Sequence, residues 1–189
     1  MDAPVIETER LSLTIAPAHA AARLATYALE NEPHLGKWEP PRPDGYFTEA
    51  YWYRRLERNL DEYAHDLSLR LAVFRRDDLD GPLCGHVNFN QVQRGGFQAC
   101  TLGYSLDRRC EGRGMMTEAL AAAVPYVFGE LRLHRIQANY IPSNERSGRV
   151  LRRLGFVVEG YARDYLFIGG GWRDHILTAL TNPHAPLPG

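Results

Sequence analysis

Apolar and polar positions change their spacing several times along the chain, and each change marks an element. In residues 7–15, Leu11, Leu13 and Ile15 fall on one side of an alternating pattern, which predicts a half-buried strand. Pro17 suits the first turn of a helix reaching about residue 30. Residues 31–47, NEPHLGKWEPPRPDGYF, hold four prolines and two glycines and read as a long ordered loop, a kind of segment that tends to serve function. Thr48 can cap a second helix running to about residue 66, with Tyr51, Leu56, Leu60 and Tyr63 near helical spacing.

From Ser68 the spacing becomes that of strands: LSLRLAVFRR, LCGHVNFNQVQR and FQACTLGYSL, parted by turn signals at 77–81 and 94–96. This is an antiparallel meander. A glycine segment leads from it into a helix over about 114–130, rich in Ala and Leu, with a kink expected at Pro125. Then come a strand at HRIQANYI, a short helix over 144–154 closed by Gly155, and a hairpin turning at 169–171. No repeat or low-complexity stretch interrupts the pattern.

Composition narrows the picture. At 189 residues and 44% hydrophobic, the chain suits a single domain over 1–189 that buries roughly 70% of its unfolded surface. The 22 basic and 23 acidic side chains nearly cancel, so no overall field draws the protein to nucleic acid or anionic lipid. Cys84, Cys100 and Cys110 form no CxxC pair and share no zinc spacing with the seven histidines, so they read as reduced thiols and no metal site is expected. The opening MDAPVIETERLSL lacks the basic and apolar regions of a signal peptide, and no apolar run approaches membrane-spanning length. A cytoplasmic protein is expected.

The candidate chemistry begins at residues 107–120, DRRCEGRGMMTEAL. Glycines let backbone N–H groups converge on an anion, and a helix N-terminus adds partial positive charge, so a strand–glycine loop–helix passage is a phosphate site. A mononucleotide P-loop would need GxxxxGK and a hydroxyl residue, and no Lys stands here. A dinucleotide fingerprint would need glycine where Thr117 stands, in an early βαβ unit rather than after three antiparallel strands. Glu130 lies at the distance of a ribose carboxylate but at a helix end.

RCEGRG, residues 109–114, has the R/Q-x-x-G-x-G/A form, and PSNERSGRVLRRLGF, residues 142–156, carries N-x-x-S and a later Gly-Phe. Together they resemble the GNAT acyltransferases, whose loop cradles the pyrophosphate of coenzyme A. LGKWEP, NFNQVQRGGFQACTLGYSL, ANYIPSNERSGRVLRRLGFVVEGYARDYL and GWRDHILTAL extend the likeness over nearly the whole chain, toward the members that acetylate the N-terminal alanine of a small-subunit ribosomal protein. The resemblance implies a GNAT fold of the α/β (α+β) type: a mixed, mostly antiparallel seven-stranded sheet splayed between its fourth and fifth strands and flanked by helices. It implies acetyl-CoA as donor, with no metal, and a protein N-terminus as acceptor, served by a monomer or dimer with no membrane or nucleic-acid site. It also implies coenzyme contacts at Tyr104, Ser105, Leu106, Arg109, Cys110, Glu111, Gly112, Arg113, Gly114, Met115, Asn144 and Ser147.

Acetyl transfer needs a neutral amine, a donor for the oxyanion and a proton for the departing thiolate. A free α-amine has a pKa near 7.7 to 8.0 against about 10.4 for lysine, so delivering it neutral costs about 3.5 kcal/mol less. A dedicated strong base is therefore unnecessary. Glu159 resembles a family carboxylate near the acceptor and could take the proton; otherwise it is a strand carboxylate or a structural ion pair. Ser147, one helical turn from Asn144, is the candidate acid, with Tyr165 and Tyr104 as alternatives, although an aromatic in a strand is more often core. A backbone N–H near residues 104–106 would meet the oxyanion. Asn144 both caps the short helix and faces the pantetheine arm. Trp38 and Glu39 are read as part of a peptide cleft, Trp38 also anchoring its loop, and Asp174 and His175 as acceptor-side residues or a hairpin-stabilising pair. Two other functions remain open: acetylation of a polyamine, aminoglycoside or amino acid, and a non-catalytic coenzyme A-binding factor on the ribosome.

Overall fold

The computed structural model describes residues 3–185. The chain opens with two strands, β1 (Val5–Glu7) and β2 (Leu11–Thr14), where a single strand is expected. Thr8 explains the split: its N–H donates to the Leu11 carbonyl and its Oγ1 accepts from the Leu11 N–H, both at 2.8 Å, which turns the chain back on itself. The sheet consequently has eight strands rather than seven, and its parting lies one strand later, between the fifth and sixth.

Helix α1 (Ala21–Leu35) follows a 3-10 turn begun at Pro17 and runs past the expected end near residue 30, with Pro33 inside it. Proline costs the helix one hydrogen bond, to the carbonyl four residues back at Leu29. Leu29 is solvent-exposed, so water can serve that carbonyl, while burial of Asn31 and Leu35 holds the last turn in place. The connecting loop shrinks accordingly to a 3-10 turn at Gly36–Trp38 and the segment 39–48. Helix α2 (Glu49–Ala64) starts at Thr48, whose side chain accepts from the Tyr51 N–H as a cap should. Its buried stripe is Trp52, Leu56 and Asn59; Leu60, expected on that stripe, is exposed.

Strands β3 (Leu69–Arg75), β4 (Gly85–Gln93) and β5 (Ala99–Leu106) form the expected meander. Helix α3 (Met115–Gly129) passes through Pro125, and is followed by β6 (Arg135–Tyr140), α4 (Glu145–Arg153) and the hairpin β7 (Val157–Ile168) and β8 (Gly171–Thr181). That hairpin turns at Gly169 and Gly170, with φ of 56° and 81°, values that L side chains rarely adopt.

All eight strands lie in one sheet of order β1-β2-β3-β4-β5-β6-β8-β7. Alternation along β3 and β4 sends Leu71, Val73, Val87 and Phe89 to one face, where α3 and α4 pack with Leu120, Val127 and Leu151. Ala72, Phe74 and Leu83 face the other way, against Leu24 of α1 and Leu56 of α2. Truncating a fully buried ring such as Phe89 would cost about 3–5 kcal/mol.

Among the described residues only the β5–β6 pair is parallel, and only at Ala99↔Arg135, Cys100↔Ile136 and Thr101↔Gln137. Beyond Thr101, β5 stays with β4 as far as Leu106 and β6 stays with β8 as far as Tyr140, so a wedge opens through the middle of the sheet. Among the described residues no helix is long and apolar enough to cross a membrane, and no three His, Cys, Asp or Glu side chains are grouped to hold a metal ion.

Candidate active site

The wedge belongs to a cleft of about 1840 Å³ that reaches both faces of the sheet. On the α3 and α4 side its mouth is the glycine loop. Asp107, 2% exposed at the end of β5, anchors the loop: Oδ1 accepts from the Arg109 N–H at 2.7 Å, and Oδ2 accepts from Asn31 Nδ2 at 3.0 Å. Asn31 completes the clasp by accepting from the Arg108 N–H at 3.1 Å. Burial alone would raise the Asp107 carboxyl, but hydrogen bonds from Arg109 and Asn31 outweigh it and hold it at about 2. The loop is therefore fixed by a charged, satisfied group.

Beyond the anchor, Gly112 and Gly114 take φ of 73° and 74°, and Gly114 is the residue from which α3 starts. A Cβ at Gly112 would meet no atom within 4 Å, so its glycine is needed for backbone angle and for access from the cleft, not to relieve crowding inside the protein. Open space, converging N–H groups and the α3 N-terminus fit a pyrophosphate. Met115 lines the cleft beside it, 4% exposed.

Other expected loop contacts fall elsewhere. Arg109 does not line the cleft: its guanidinium is bound to Asp107 and, at 2.8 Å, to Glu30. Cys110 is buried in the core beside Cys84, whose thiol burial pushes up to about 12. Arg113 turns away from the cleft, and its carbonyl accepts from Arg10 at 3.0 Å. Glu111 does line the mouth, joined to His34 of α1 at 2.9 Å and to Arg146 of α4. Arg108, Arg146, Arg149 and Arg153 give that mouth a cationic rim.

The β5 edge forms the next stretch of the cleft wall. The Asp107 N–H donates to the Cys84 carbonyl at 2.7 Å, and a Cβ at Gly85 would stand 2.3 Å from the Ser105 carbonyl, so Ser105 and Asp107 present their main chain to the β4 side. By alternation the N–H groups of Tyr104 and Leu106 point into the wedge. Ser105 turns its side chain to the α1 face, 3.0 Å from the Tyr27 hydroxyl.

Across the wedge, α4 begins at Asn144, whose Oδ1 accepts from the Ser147 N–H at 3.2 Å. Gly148 lets this helix lie on Tyr140; a Cβ there would stand 2.8 Å from the ring. The packing delivers the Ser147 hydroxyl to within 2.7 Å of the Tyr104 hydroxyl. Burial keeps Tyr104 protonated, raising it to about 12 against the opposing hydrogen bond from Ser147. Two hydroxyls in series, at the coenzyme side of the gap, can pass a proton.

On the α1 and α2 side, Trp38 and Glu39 line the cleft as expected. Burial raises the Glu39 carboxyl despite its ion pair with Arg42, a guanidinium that also holds Glu32 at 3.1 Å. Tyr165 reaches the cleft from β7, accepts from Asn139 Nδ2 at 3.2 Å and tilts against His175, which is 2% exposed. His175 Nδ1 donates to the Arg173 carbonyl at 2.9 Å, which leaves Nε2 as its basic nitrogen. Two expected residues are displaced. Glu159 pairs with Arg135 of β6 and does not line the cleft, the placement of the ion-pair alternative. Asp174 accepts from Tyr161 and, at 2.9 Å, from the Asp164 N–H, which pins a bulge of the β7–β8 hairpin outside the cleft.

A sheet parted between a donor edge and an acceptor face, with a glycine loop at the end of the parted strand, defines an acyl-coenzyme A transferase fold. The profile described as Acetyltransferase (GNAT) domain matches residues 10–157, and the chain belongs to this family. It is 43% identical over 178 residues to the [Ribosomal protein uS5]-alanine N-acetyltransferase of Escherichia coli (strain K12), covering 94% of this chain and 91% of the relative. Among solved structures, the ribosomal-protein-S5-alanine acetyltransferase of Vibrio fischeri superposes with a TM-score of 0.92 at 36% identity, covering 97% and 99% of the two chains. Mycobacterium smegmatis RimJ in complex with CoA-disulfide gives 0.85 at 27% identity, covering 98% and 90%.

Sequence reasoning missed Asn31, His34, Arg146 and the cleft-facing residues of β4. Only β4 carries a local signal: His86, Asn88 and Asn90 alternate with buried Val87 and Phe89, a polar stripe that reads equally well as a solvated strand face.

Proposed function

We propose that this protein transfers the acetyl group of acetyl-CoA to the N-terminal α-amine of a protein, alanine first, and that the acceptor is a small-subunit ribosomal protein of the cytoplasm. The observation that carries this reading is the kinship with uS5-alanine N-acetyltransferases along nearly the whole chain.

Acetyl-CoA supplies an activated thioester. The N–H groups at Gly112 and Gly114 with the α3 N-terminus hold its pyrophosphate, and Asn144 and the free β5 edge hold its pantetheine arm. The Tyr104 or Leu106 N–H stabilises the oxyanion. Ser147, backed by Tyr104, returns a proton to the departing thiolate. Among the described residues every carboxylate that lines the cleft is engaged by a cation: Glu30 by Arg109, Glu39 by Arg42, Glu111 by Arg146, Glu145 by Arg149. Such a site suits an acceptor that loses its proton to water near neutral pH, as an α-amine does. Glu32 and Glu39 share the single Arg42 guanidinium, and Glu39, which lines the cleft, is the carboxylate placed to meet the incoming ammonium.

Thiol release measured on peptides differing only in their first residue, with spermidine alongside, tests the reading. Alanine-first peptides are expected to react fastest. Equal rates for spermidine and the best peptide would overturn it.

A further inference from the structure

Six buried side-chain nitrogen or oxygen atoms lack a hydrogen-bond partner among the described residues, and four of them belong to residues that line the cleft: Trp52 Nε1, Arg70 Nε, His86 Nε2 and Asn90 Oδ1. Polar atoms buried without a partner are rare in native proteins, and four of them in residues around one space point to a ligand there. All four belong to the α1 and α2 face of the sheet, away from the glycine loop. Trp52 projects from α2 and stacks on the His86 ring, with centroids 5.9 Å apart and planes 7° from parallel. Arg70 lies across from Asn88 in the β3–β4 register, its Nε 3.4 Å from a Glu62 carboxylate oxygen without forming a hydrogen bond to it.

The floor beneath them is regular. His86, Asn88 and Asn90 face the cleft at alternate positions of β4, about 6.8 Å apart from one to the next. Their partners on β5 are Ser105, Gly103 and Thr101. At Gly103 a Cβ would meet nothing within 4 Å, so the middle of the floor is a shallow trough bordering the wedge. An extended peptide repeats its outward groups with this same spacing of about 6.8 Å.

The chemistry of the unpartnered atoms discriminates between acceptors. Trp52 Nε1 and Arg70 Nε can only donate, and Asn90 Oδ1 can only accept. Burial, reinforced by Arg70 and Arg42, lowers His86 to about 4, so it is neutral and its Nε2 can take either role. A polyamine offers donors alone and would leave the indole N–H unserved. A peptide main chain offers carbonyls and N–H groups in alternation.

We infer that the polar floor of β4 and β5, formed by His86, Asn90 and Gly103 under Trp52, binds the main chain of the acceptor's second and third residues in extended form. This makes His86 and Asn90 specificity-determining residues that select a polypeptide N-terminus over a small amine. The inference rests on the N-terminal reading above and names the part of the protein that executes it.

The test compares kcat/KM for alaninamide with that for an Ala-initiated tripeptide amide, in the wild-type protein and in His86→Phe and Asn90→Leu. Phenylalanine keeps the stack on Trp52, and leucine keeps the branched outline of asparagine, while each removes the polar atom. Acetyl-CoA affinity by calorimetry shows that each variant is folded. The wild-type protein is expected to favour the tripeptide by about a hundredfold and each variant by about a tenth of that, one hydrogen bond being worth about tenfold. Asn90→Asp, which keeps an acceptor at that place, restores part of the ratio. A tripeptide preference equal to wild type in both folded variants overturns the floor while leaving N-terminal acetylation standing. Failure of the wild-type protein to acetylate any peptide overturns both.

Discussion

The two halves of the cleft are made differently. The half proposed to hold the donor is assembled from main chain: two left-handed glycines, a helix start and the unpaired edge of β5, with few side chains beyond Asn144 and Ser147. The acceptor half is assembled from side chains gathered from α1, α2, β3, β4 and β7, which meet only when the sheet is complete. Coenzyme A is the same for every family member, and backbone donors serve it whatever the surrounding sequence. The acceptor varies, and side chains can vary with it.

That contrast ranks the effects of substitution. The largest should come from the backbone of the donor half: Gly114→Val, forcing a β-branched residue to φ of 74°, should weaken coenzyme A binding about a hundredfold or more, measured by calorimetry on folded protein. Unchanged affinity would remove the loop from the donor site.

Next is the anchor behind the loop. Asp107 is held at about 2 against an ordinary 3.8, a difference of about 1.8 pH units, or about 2 kcal/mol of stability. Because the folded pKa is depressed, that stability is present above about pH 4 and is lost as pH falls toward 2. Denaturant unfolding of Asp107→Asn should therefore show a deficit of about 2 kcal/mol at pH 7 that closes on acidification. A deficit independent of pH would assign the effect to packing.

Smaller effects separate chemistry from binding. Ser147→Ala should lower kcat about tenfold and leave acetyl-CoA affinity within about twofold, since the hydroxyl acts as the thiolate leaves. Tyr104→Phe should resemble it; loss of turnover in Tyr165→Phe alone would move the acid to β7. On the acceptor side, Glu39→Ala should raise KM for the peptide about fivefold without changing donor affinity. The smallest change is expected of Glu159→Gln, within about twofold in kcat/KM, because its partner is Arg135 outside the cleft.

The same contrast explains what could be read from the chain. RCEGRG is contiguous, its glycines carry backbone meaning, and the strand and helix flanking it follow from local pattern, so the strand–loop–helix passage was legible. The side chains around it were not, because partners decide where they point. Arg109 belongs to Asp107 and Glu30, and Arg113 turns outward, while Arg146, which was passed over, meets Glu111 at the mouth. Glu159 reads as a site carboxylate until Arg135, 24 residues earlier, is placed beside it. The strand count failed for a smaller reason: the Thr8 turn interrupts a stretch whose apolar alternation begins only at Leu11. The β4 stripe was visible as a pattern, but whether it faced solvent or a cleft depended on α1 and α2, which lie more than twenty residues away in the chain.

The central claim is that the acceptor is an α-amine. One peptide beginning with alanine and containing an internal lysine, incubated with acetyl-CoA at neutral pH and mapped by mass spectrometry, tests it most directly. The account predicts acetyl on the N-terminus, and almost no reaction of the same peptide once that terminus is blocked. Acetyl on the lysine, at a rate unchanged by blocking, would contradict it.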